Sequence, residues 1–257
     1  MSDTLAPATV RTNYGVLRAI LNAAVAADLI ARTPCRGVKL PPADPAPIRF
    51  LSAAELQCLA EATSADYRPA IYLAGVLGLR WSEVAGLRVG HVDFFRRTIA
   101  ITEAVAEVDG QLSVGPVKTA ASRRTLPLPP FIVDHLVDHM RRTGRTHPTD
   151  FVLQAPEGGP MRAANFRARV WSPAVSAAGV DGLTFHGLRH TAAGLMIEVG
   201  AHIEAIKQRM GHSSIRVTSD VYGSILPSVD ASVTRDLDRL FSAPGSVAAG
   251  RQLPKFG

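Results

Sequence analysis

The segment "TFHGLRHTAAGL", residues 184–195, carries His186, Arg189 and His190 within five residues and then becomes apolar. Two histidines four residues apart share a helix face, as in the zinc motif H-E-x-x-H. However, Gly187 stands where that motif needs its glutamate, and Arg189 puts a fixed positive charge beside both histidines. The residue types therefore argue against a metal site and leave two alternatives, an anion site and a solvated polar helix start.

The apolar residues of the same segment predict which face of this helix is buried. The expected stripe comprises Leu188, Ala192, Leu195 and Val199, and Gly200 is expected to end the helix. His186 and Arg189 fall outside this stripe, near the helix N-terminus, where free backbone N–H groups and the positive end of the helix dipole attract anions. Two basic side chains at this end favour an anion ligand.

Three further polar residues could act together with this helix: Arg80, His212 and Tyr222. Glu83 could assist Arg80. In "GLRWSEVAGL", Glu83 follows Arg80 by three residues, so a helical turn would let the carboxylate orient the guanidinium or hold it in a buried salt bridge. His212 follows Gly211 in "RMGHSS", and Tyr222 lies in "TSDVYG". Taken singly, His212 also fits a solvated turn and Tyr222 also fits a structural role.

Hydrophobic periodicity predicts the helices that position these residues. Residues 8–30 have the apolar spacing of an amphipathic helix, and a proline-rich linker follows at 40–49. Ser52 and Glu55 form a capping box at the start of the next helix. The remaining helices are expected at 66–77, 130–142, 163–178, 186–199, 202–210, 214–222 and 228–241.

Near Val92 the pattern changes to an alternation of apolar and polar residues, which is typical of strands. The "DG" pair at 109–110 predicts a β-hairpin, and "RRTLPLP", 123–129, predicts a third strand. The predicted fold class is therefore mainly α with a small antiparallel β-sheet (α+β). The predicted organisation is a helical segment at 1–42, a linker at 43–50, a main domain at 51–241 and a disordered tail at 242–257.

The composition points to a polyanionic partner. The chain of 257 residues has a net charge of +6 and a pI of about 9.8, which favours nucleic acid. Only four of its 28 basic residues are lysines (Lys39, Lys118, Lys207 and Lys255); the others are arginines, which suit bidentate phosphate contacts. No apolar run approaches the roughly 20 residues of a membrane span, and the N-terminus lacks a secretory signal, so the expected compartment is cytoplasmic.

Taken together and in order, these segments resemble the tyrosine recombinases, the phage integrase family. The resemblance covers about residues 50–225, which the family implies to be a catalytic domain. It is carried by "GLRWSEVAGL" (78–87), "VKTAASRRTLPL" (117–128), "TFHGLRHTAAGLMIEVGAHIEAIKQRMGHSS" (184–214) and "VTSDVYG" (217–223). Residues 9–41 resemble only the last part of the family's helical core-binding domain, so we expect a shortened clamp around DNA and weaker site-specific binding.

The resemblance implies the role of each site residue. The family's two active-site arginines match Arg80 and Arg189, its hairpin lysine matches Lys118, its two histidines match His186 and His212, and its nucleophile matches Tyr222. Glu83 is expected to support Arg80 because of its spacing, not because of the resemblance. The arginine-rich surface predicts DNA contacts by Arg123, Arg124, Arg162, Arg167 and Arg169. The implied partner is double-stranded DNA, bound by a homo-tetramer of full-length chains, with this chain alone a monomer. The family needs no metal and no cofactor.

The family's reaction accounts for these residue types. A tyrosine attacks the phosphorus of a DNA phosphodiester, leaving a 3′-phosphotyrosyl bond and a free 5′-hydroxyl, and a second 5′-hydroxyl reverses the step. Arginines can hold the non-bridging oxygens, histidine can donate or accept a proton, and lysine, unlike arginine, can protonate the leaving oxygen. The expected function is site-specific recombination by the integrase of a mobile element. The alternatives are a non-catalytic DNA-binding remnant and a type IB-like nicking-closing topoisomerase.

Overall fold

A computed structural model of the chain describes residues 5–42 and 49–211. The chain separates into two compact units, with the division between residues 47 and 48. The helices expected at 214–222 and 228–241, the tail at 242–257 and most of the predicted linker lie outside the described residues.

The first unit contains one long helix, α1, Pro7–Ala26, with a proline in its first turn. The helix ends four residues earlier than the predicted 8–30, because Asp28 adopts a left-handed conformation with a φ of 55°. The amide of Leu29 then donates to the carbonyl of Ala24 at 2.9 Å, which satisfies an end carbonyl of the helix. None of the residues of α1 is buried.

The second unit begins at the predicted capping box. Ser52 Oγ accepts the Glu55 amide at 3.2 Å, and Glu55 Oε2 accepts the Ser52 amide at 2.8 Å. The helices are α2 (Ala53–Ala62), α3 (Arg68–Gly75), α4 (Trp81–Ala85), α5 (Pro130–Thr143), α6 (Ala163–Phe166), α7 (Ser172–Ala177), α8 (Phe185–Glu198) and α9 (Ile203–Met210). A π-helical turn, Arg167–Trp171, joins α6 to α7 inside the segment predicted as one helix. Within the described ranges, no helix combines the length and apolar character needed to cross a bilayer.

The strands form two small antiparallel sheets, where the sequence predicted one. In the first sheet, β2 (Thr98–Ile101) lies between β1 (Val92–Asp93) and β5 (Arg124–Pro127). In the second, β3 (Glu103–Val108) pairs with β4 (Gln111–Pro116) through the predicted hairpin turn, whose Asp109 and Gly110 have φ values of 50° and 74°. Positive φ at both turn residues suits the right-handed twist of a two-residue hairpin.

The core of the second unit is built around α3. Its residues from Pro69 to Gly75 are all buried, because α3 contacts α2, α5 and α8. A helix that is apolar on every side must be enclosed in this way. The packing holds the end of α3 against α8, so the turn that follows α3 lies beside the segment 184–195.

That turn depends on Gly78, whose φ is +74°. The amide of Leu79 donates to the carbonyl of Leu73 at 3.1 Å, which closes the C-terminus of α3 and directs the chain into α4. A Cβ at position 78 would overlap the sulfur of the buried Met210 on α9. Gly78 therefore serves both the backbone conformation and the close approach of α9.

We expect Gly78→Ala to destabilise the protein more than Gly144→Ala does. Gly144 has a similar φ of +68° at the end of α5, but a Cβ there has no atom within 4 Å. The control should cost about 1–2 kcal/mol for the left-handed backbone alone, and Gly78→Ala should add about 1–3 kcal/mol for repacking Met210. Urea unfolding of both variants measures the difference; equal losses would contradict the overlap with Met210.

Candidate active site

The buried face of helix α8 differs from the predicted apolar stripe. Thr184 caps the helix by accepting the Gly187 amide on its hydroxyl at 3.1 Å. Arg189, expected off the buried stripe, is only 2% exposed, whereas Val199, expected on it, is 81% exposed. The reason is that the Arg189 guanidinium finds two backbone carbonyl acceptors inside the protein, which removes much of the penalty for its burial.

The spacing of Arg80 and Glu83 produces the predicted contact. Arg80 is the N-cap of α4, and Glu83 reaches back so that its Oε2 accepts the Arg80 amide at 2.9 Å. Its Oε1 accepts the Arg80 Nη1 at 2.9 Å. The carboxylate thus orients the guanidinium of Arg80, and because Glu83 is 2% exposed, it does so from inside the protein.

A second guanidinium completes the bonding of Glu83. Arg124 Nη1 donates to Oε1 at 3.0 Å and Arg124 Nη2 donates to Oε2 at 2.9 Å, so the carboxylate accepts four hydrogen bonds. Burial alone would raise the pKa of Glu83, but the hydrogen bonds and charge of Arg124, with those of Arg80, hold this pKa below its ordinary value. Glu83 is therefore ionised at neutral pH.

Arg124 does not lie on the exposed surface, where the sequence placed it among the predicted DNA contacts. Its side chain is 7% exposed. On β5, residues 124 and 126 share a face, and Leu126 is buried in the core. The alternation of the strand turns Arg124 inward and leaves the neighbouring Arg123 exposed.

Three arginines, Arg80, Arg124 and Arg189, which we call the arginine cluster, converge on the C-terminus of α9. Each donates to one of three successive backbone carbonyls: Arg124 Nε to Arg209 at 2.7 Å, Arg189 Nη2 to Met210, and Arg80 Nη2 to Gly211 at 3.1 Å. The last carbonyls of a helix lack intrahelical partners and carry the negative end of its dipole. Sequence analysis missed these acceptors, because a backbone carbonyl leaves no mark on the residue type.

The number of N–H groups already engaged shows whether Arg80 and Arg189 could bind a further acceptor. A guanidinium has five N–H groups. Arg80 uses two of them, on Glu83 and on the carbonyl of Gly211, and Arg189 uses two, on the carbonyls of Gly78 and Met210. In contacts among the residues that the structure describes, each guanidinium therefore keeps three N–H groups for another acceptor.

The charges favour an anion as that acceptor. The arginine cluster holds three guanidinium groups against the single carboxylate of Glu83. Burial, followed by the charge of Arg80, lowers the pKa of Arg189 to about 9, so Arg189 is still charged at neutral pH. Partial desolvation, followed by the charges of His190, Arg189 and Arg80, lowers the pKa of His186 below its ordinary value, so its imidazole is neutral at neutral pH and can accept a proton.

An aromatic cluster supports the start of α8 beside these charges. Trp81, directly after Arg80, packs with its ring centroid 4.5 Å from that of Phe166 and 5.1 Å from that of Phe185. A groove of about 550 Å³ runs along this cluster and is lined by Arg167 and His186. The imidazole of His186 is thus exposed to a molecule lying in the groove.

The structure places the other predicted site residues unevenly. Lys118 is exposed in the loop after β4, and no described contact joins it to the arginine cluster. His212 and Tyr222 lie outside the described residues. Arg167 and Arg169 are exposed, while Arg162 pairs with Glu107 on β3 at 2.6 Å.

Comparison with known proteins adds independent findings. The model of the family described as "Phage integrase family" matches residues 49–227. The putative prophage phiRv2 integrase of Mycobacterium tuberculosis is 31% identical over 206 residues, which cover 79% of this chain and 54% of the relative. The tyrosine recombinase XerC-like protein of Caldanaerobacter subterraneus subsp. tengcongensis is 25% identical over 260 residues, which cover 91% of this chain and 66% of the relative. The chain thus spans about half to two thirds of the length of these relatives.

A solved structure shares the fold. The Tn1549 transposon integrase, in complex with transposon right end DNA, superposes with a TM-score of 0.73 at 20% sequence identity, over 86% of this chain and 76% of that one. The predicted fold class, mainly α with antiparallel β structure (α+β), is confirmed, although the strands form two small sheets and not the one predicted.

We expect Glu83→Gln to cost about 3–5 kcal/mol of unfolding free energy, because the amide presents N–H groups to a guanidinium and leaves buried positive charge unpaired. The control Glu107→Gln breaks an ion pair that is partly exposed on both sides and should cost at most about 1 kcal/mol. Since the pKa of Glu83 is lowered by folding, its contribution is present above the ordinary pKa of about 4.5 and is lost as the pH falls through the folded value. Urea unfolding at neutral pH tests the difference between the two variants, and equal losses would contradict it. Urea unfolding at acidic pH tests the pH dependence, because the cost of Glu83→Gln should then be smaller.

Proposed function

The chain belongs to the phage integrase family, the tyrosine recombinases, and from this premise we propose that it cuts and rejoins DNA at specific sites through a 3′-phosphotyrosyl intermediate, as the integrase of a mobile element. The observation that carries the proposal is the pair of oriented guanidinium groups, Arg80 and Arg189, each with three N–H groups not engaged by described residues. A phosphodiester offers the two non-bridging oxygens that such a pair would bind.

The arginines stabilise the charge that develops during the reaction. Attack on phosphorus gives a pentavalent transition state whose non-bridging oxygens gain negative charge. Arg80 and Arg189 are already held by Glu83 and by the carbonyls of α9, so they need little reorganisation when this charge appears. Removing one such preorganised donor typically costs about 10²–10³ in rate.

Proton transfers are assigned to the remaining residues. Tyr222 attacks the phosphorus and gives up its proton, which the neutral imidazole of His186 is suited to accept. His212 follows directly after the Gly211 carbonyl that binds Arg80, and it donates to the same non-bridging oxygens. Lys118 protonates the leaving 5′-oxygen, and the reverse transfer allows the free 5′-hydroxyl of a second strand to attack.

DNA is held mainly through phosphate contacts. Arg123, Arg167 and Arg169 are exposed and supply positive charge at the surface. Arg162 exchanges its partly exposed contact with Glu107, worth at most about 1 kcal/mol, for a phosphate. Recombination requires two duplexes, for which four copies of the chain assemble on DNA.

We expect Tyr222→Phe to abolish the covalent protein–DNA adduct while leaving DNA affinity unchanged, because only the nucleophilic hydroxyl is lost. The substrate is a nicked duplex that carries the cognate site, to be identified by sequencing the DNA that flanks the gene. The adduct is detected as a band that survives denaturing gel electrophoresis. The parent chain should form the adduct in excess chelator.

Two results would count against this assignment. An adduct that persists in Tyr222→Phe would identify another nucleophile, with Ser219 and Ser224 the first to test. A parent chain that binds the nicked duplex but never forms an adduct would favour a DNA-binding role without catalysis.

We expect Lys118→Arg to slow cleavage much more than it weakens binding. Arginine keeps the positive charge but cannot release a proton at neutral pH, and general acid catalysis contributes about 10²–10⁴ in rate. A substrate with sulfur in place of the 5′-bridging oxygen has a better leaving group and should restore cleavage by the variant. Cleavage of ordinary DNA at the parent rate would place the acid elsewhere.

A further inference from the structure

We infer that Arg124 is a positioning residue for the reaction. Its side chain joins three parts of the protein: the segment leading from Lys118, the helix that carries Arg80 and the turn that leads into His212. The inference rests on the proposed function and adds a residue that does not itself touch the substrate. It follows from the hydrogen bonds that Arg124 makes and from the secondary-structure elements that these bonds connect.

The donor count sets Arg124 apart from the other two arginines. It makes four hydrogen bonds within the protein: two to Glu83, one from Nε to the carbonyl of Arg209, and one from Nη1 to the carbonyl of Ser122 at 2.9 Å. These engage four of its five N–H groups. A guanidinium with four of its five N–H groups engaged has little left for a phosphate, whereas Arg80 and Arg189 each keep three N–H groups that no described residue engages.

The contacts of Arg124 reach elements that carry a functional residue or lie next to one in the chain. Through Glu83 it acts on Arg80, whose amide and Nη1 both bind the same carboxylate. Through the carbonyl of Ser122 it holds the short turn Ala120–Ser122, which comes directly after the loop of Lys118. Through the carbonyl of Arg209 it holds the C-terminus of α9.

The end of α9 is also packed closely at Gly211. Gly211 has a φ of +61°, and a Cβ at this position would lie 3.0 Å from the carbonyl oxygen of Ala121 and 3.1 Å from Arg124 Nη1. The turn that precedes His212 is therefore packed directly against the 121–122 backbone, with the guanidinium of Arg124 beside it. Arg124 thus fixes the relative positions of Arg80, the turn after the loop of Lys118, and Gly211.

Lysine cannot reproduce this arrangement. Its ammonium group is a point charge with three donors, whereas the planar guanidinium binds both carboxylate oxygens and two carbonyls on different sides. Arg124→Lys preserves the charge opposite Glu83 but leaves the carbonyls of Ser122 and Arg209 without their donor. This variant separates the geometry of the contact from its charge.

The experiment compares Arg124→Lys and Arg124→Gln with Arg96→Lys and Arg96→Gln, since Arg96 lies in the turn before β2 with a side chain 79% exposed. Two quantities are measured on the nicked duplex: the single-turnover rate of adduct formation at saturating DNA, and the Kd. Both Arg124 variants should lose rate on the order of 100-fold, as expected when catalytic groups shift by about 1 Å. Their Kd should stay near that of the Arg96 variants, because four of the five N–H groups of Arg124 are engaged within the protein.

A second measurement does not depend on catalysis. The Nε–Hε resonance of Arg80 in a ¹⁵N spectrum of the DNA-free protein should shift or broaden in Arg124→Lys and stay unchanged in Arg96→Lys, with thermal unfolding confirming that Arg124→Lys is folded. If the parent forms no adduct but this resonance responds, the proposed catalysis fails while the positioning of Arg80 stands. An unchanged resonance, or an Arg124→Lys that cleaves at the rate of Arg96→Lys, would overturn the inference.

Discussion

The ion pair between the Glu83 carboxylate and two guanidinium groups is the interaction on which the site depends. Removing a carboxylate and two guanidinium ions from water costs several kcal/mol per ion, so such a cluster is a weak source of net stability. Its value is geometric: four hydrogen bonds of 2.9–3.0 Å fix Arg80 and Arg124 relative to α4. The carboxylate and its two guanidinium groups join β5 and α4 to the C-terminus of α9, where Arg124 and Arg80 donate to the carbonyls of Arg209 and Gly211.

Much of the fold could be predicted because it is local in sequence. The capping box at Ser52, the hairpin at residues 109–110 and the helix α5 follow from residue types within a few positions of one another. The division into two sheets could not be predicted, since it depends on the chain leaving the first sheet at Thr102, between β2 and β3. Period-two alternation continues through that point and does not record which partner each strand chooses.

The site was predicted in proportion to how local its contacts are. The contact of Arg80 with Glu83 spans three residues and follows from helical geometry. The burial of Arg189 and the internal role of Arg124 were missed, because their acceptors include backbone carbonyls 111 and 85 residues away. One signal in the sequence pointed to the burial of Arg124: it lies two residues before the apolar Leu126, so a strand places both side chains on the same face. The placement of His212 and Tyr222 in this site stays a prediction.

The preference of the arginine cluster for main-chain acceptors has a consequence for sequence divergence. The carbonyls at positions 78, 122, 209, 210 and 211 are present whatever side chains those residues carry. Evolution can therefore exchange the residues at positions 122, 209 and 210 without altering the acceptor chemistry, provided that the local packing is kept. Stricter selection is expected only on the arginines, on Glu83, and on Gly78 and Gly211, whose backbone conformations other residues adopt poorly. A small set of constrained positions can in this way preserve the arrangement of the arginine cluster while most of the surrounding sequence drifts.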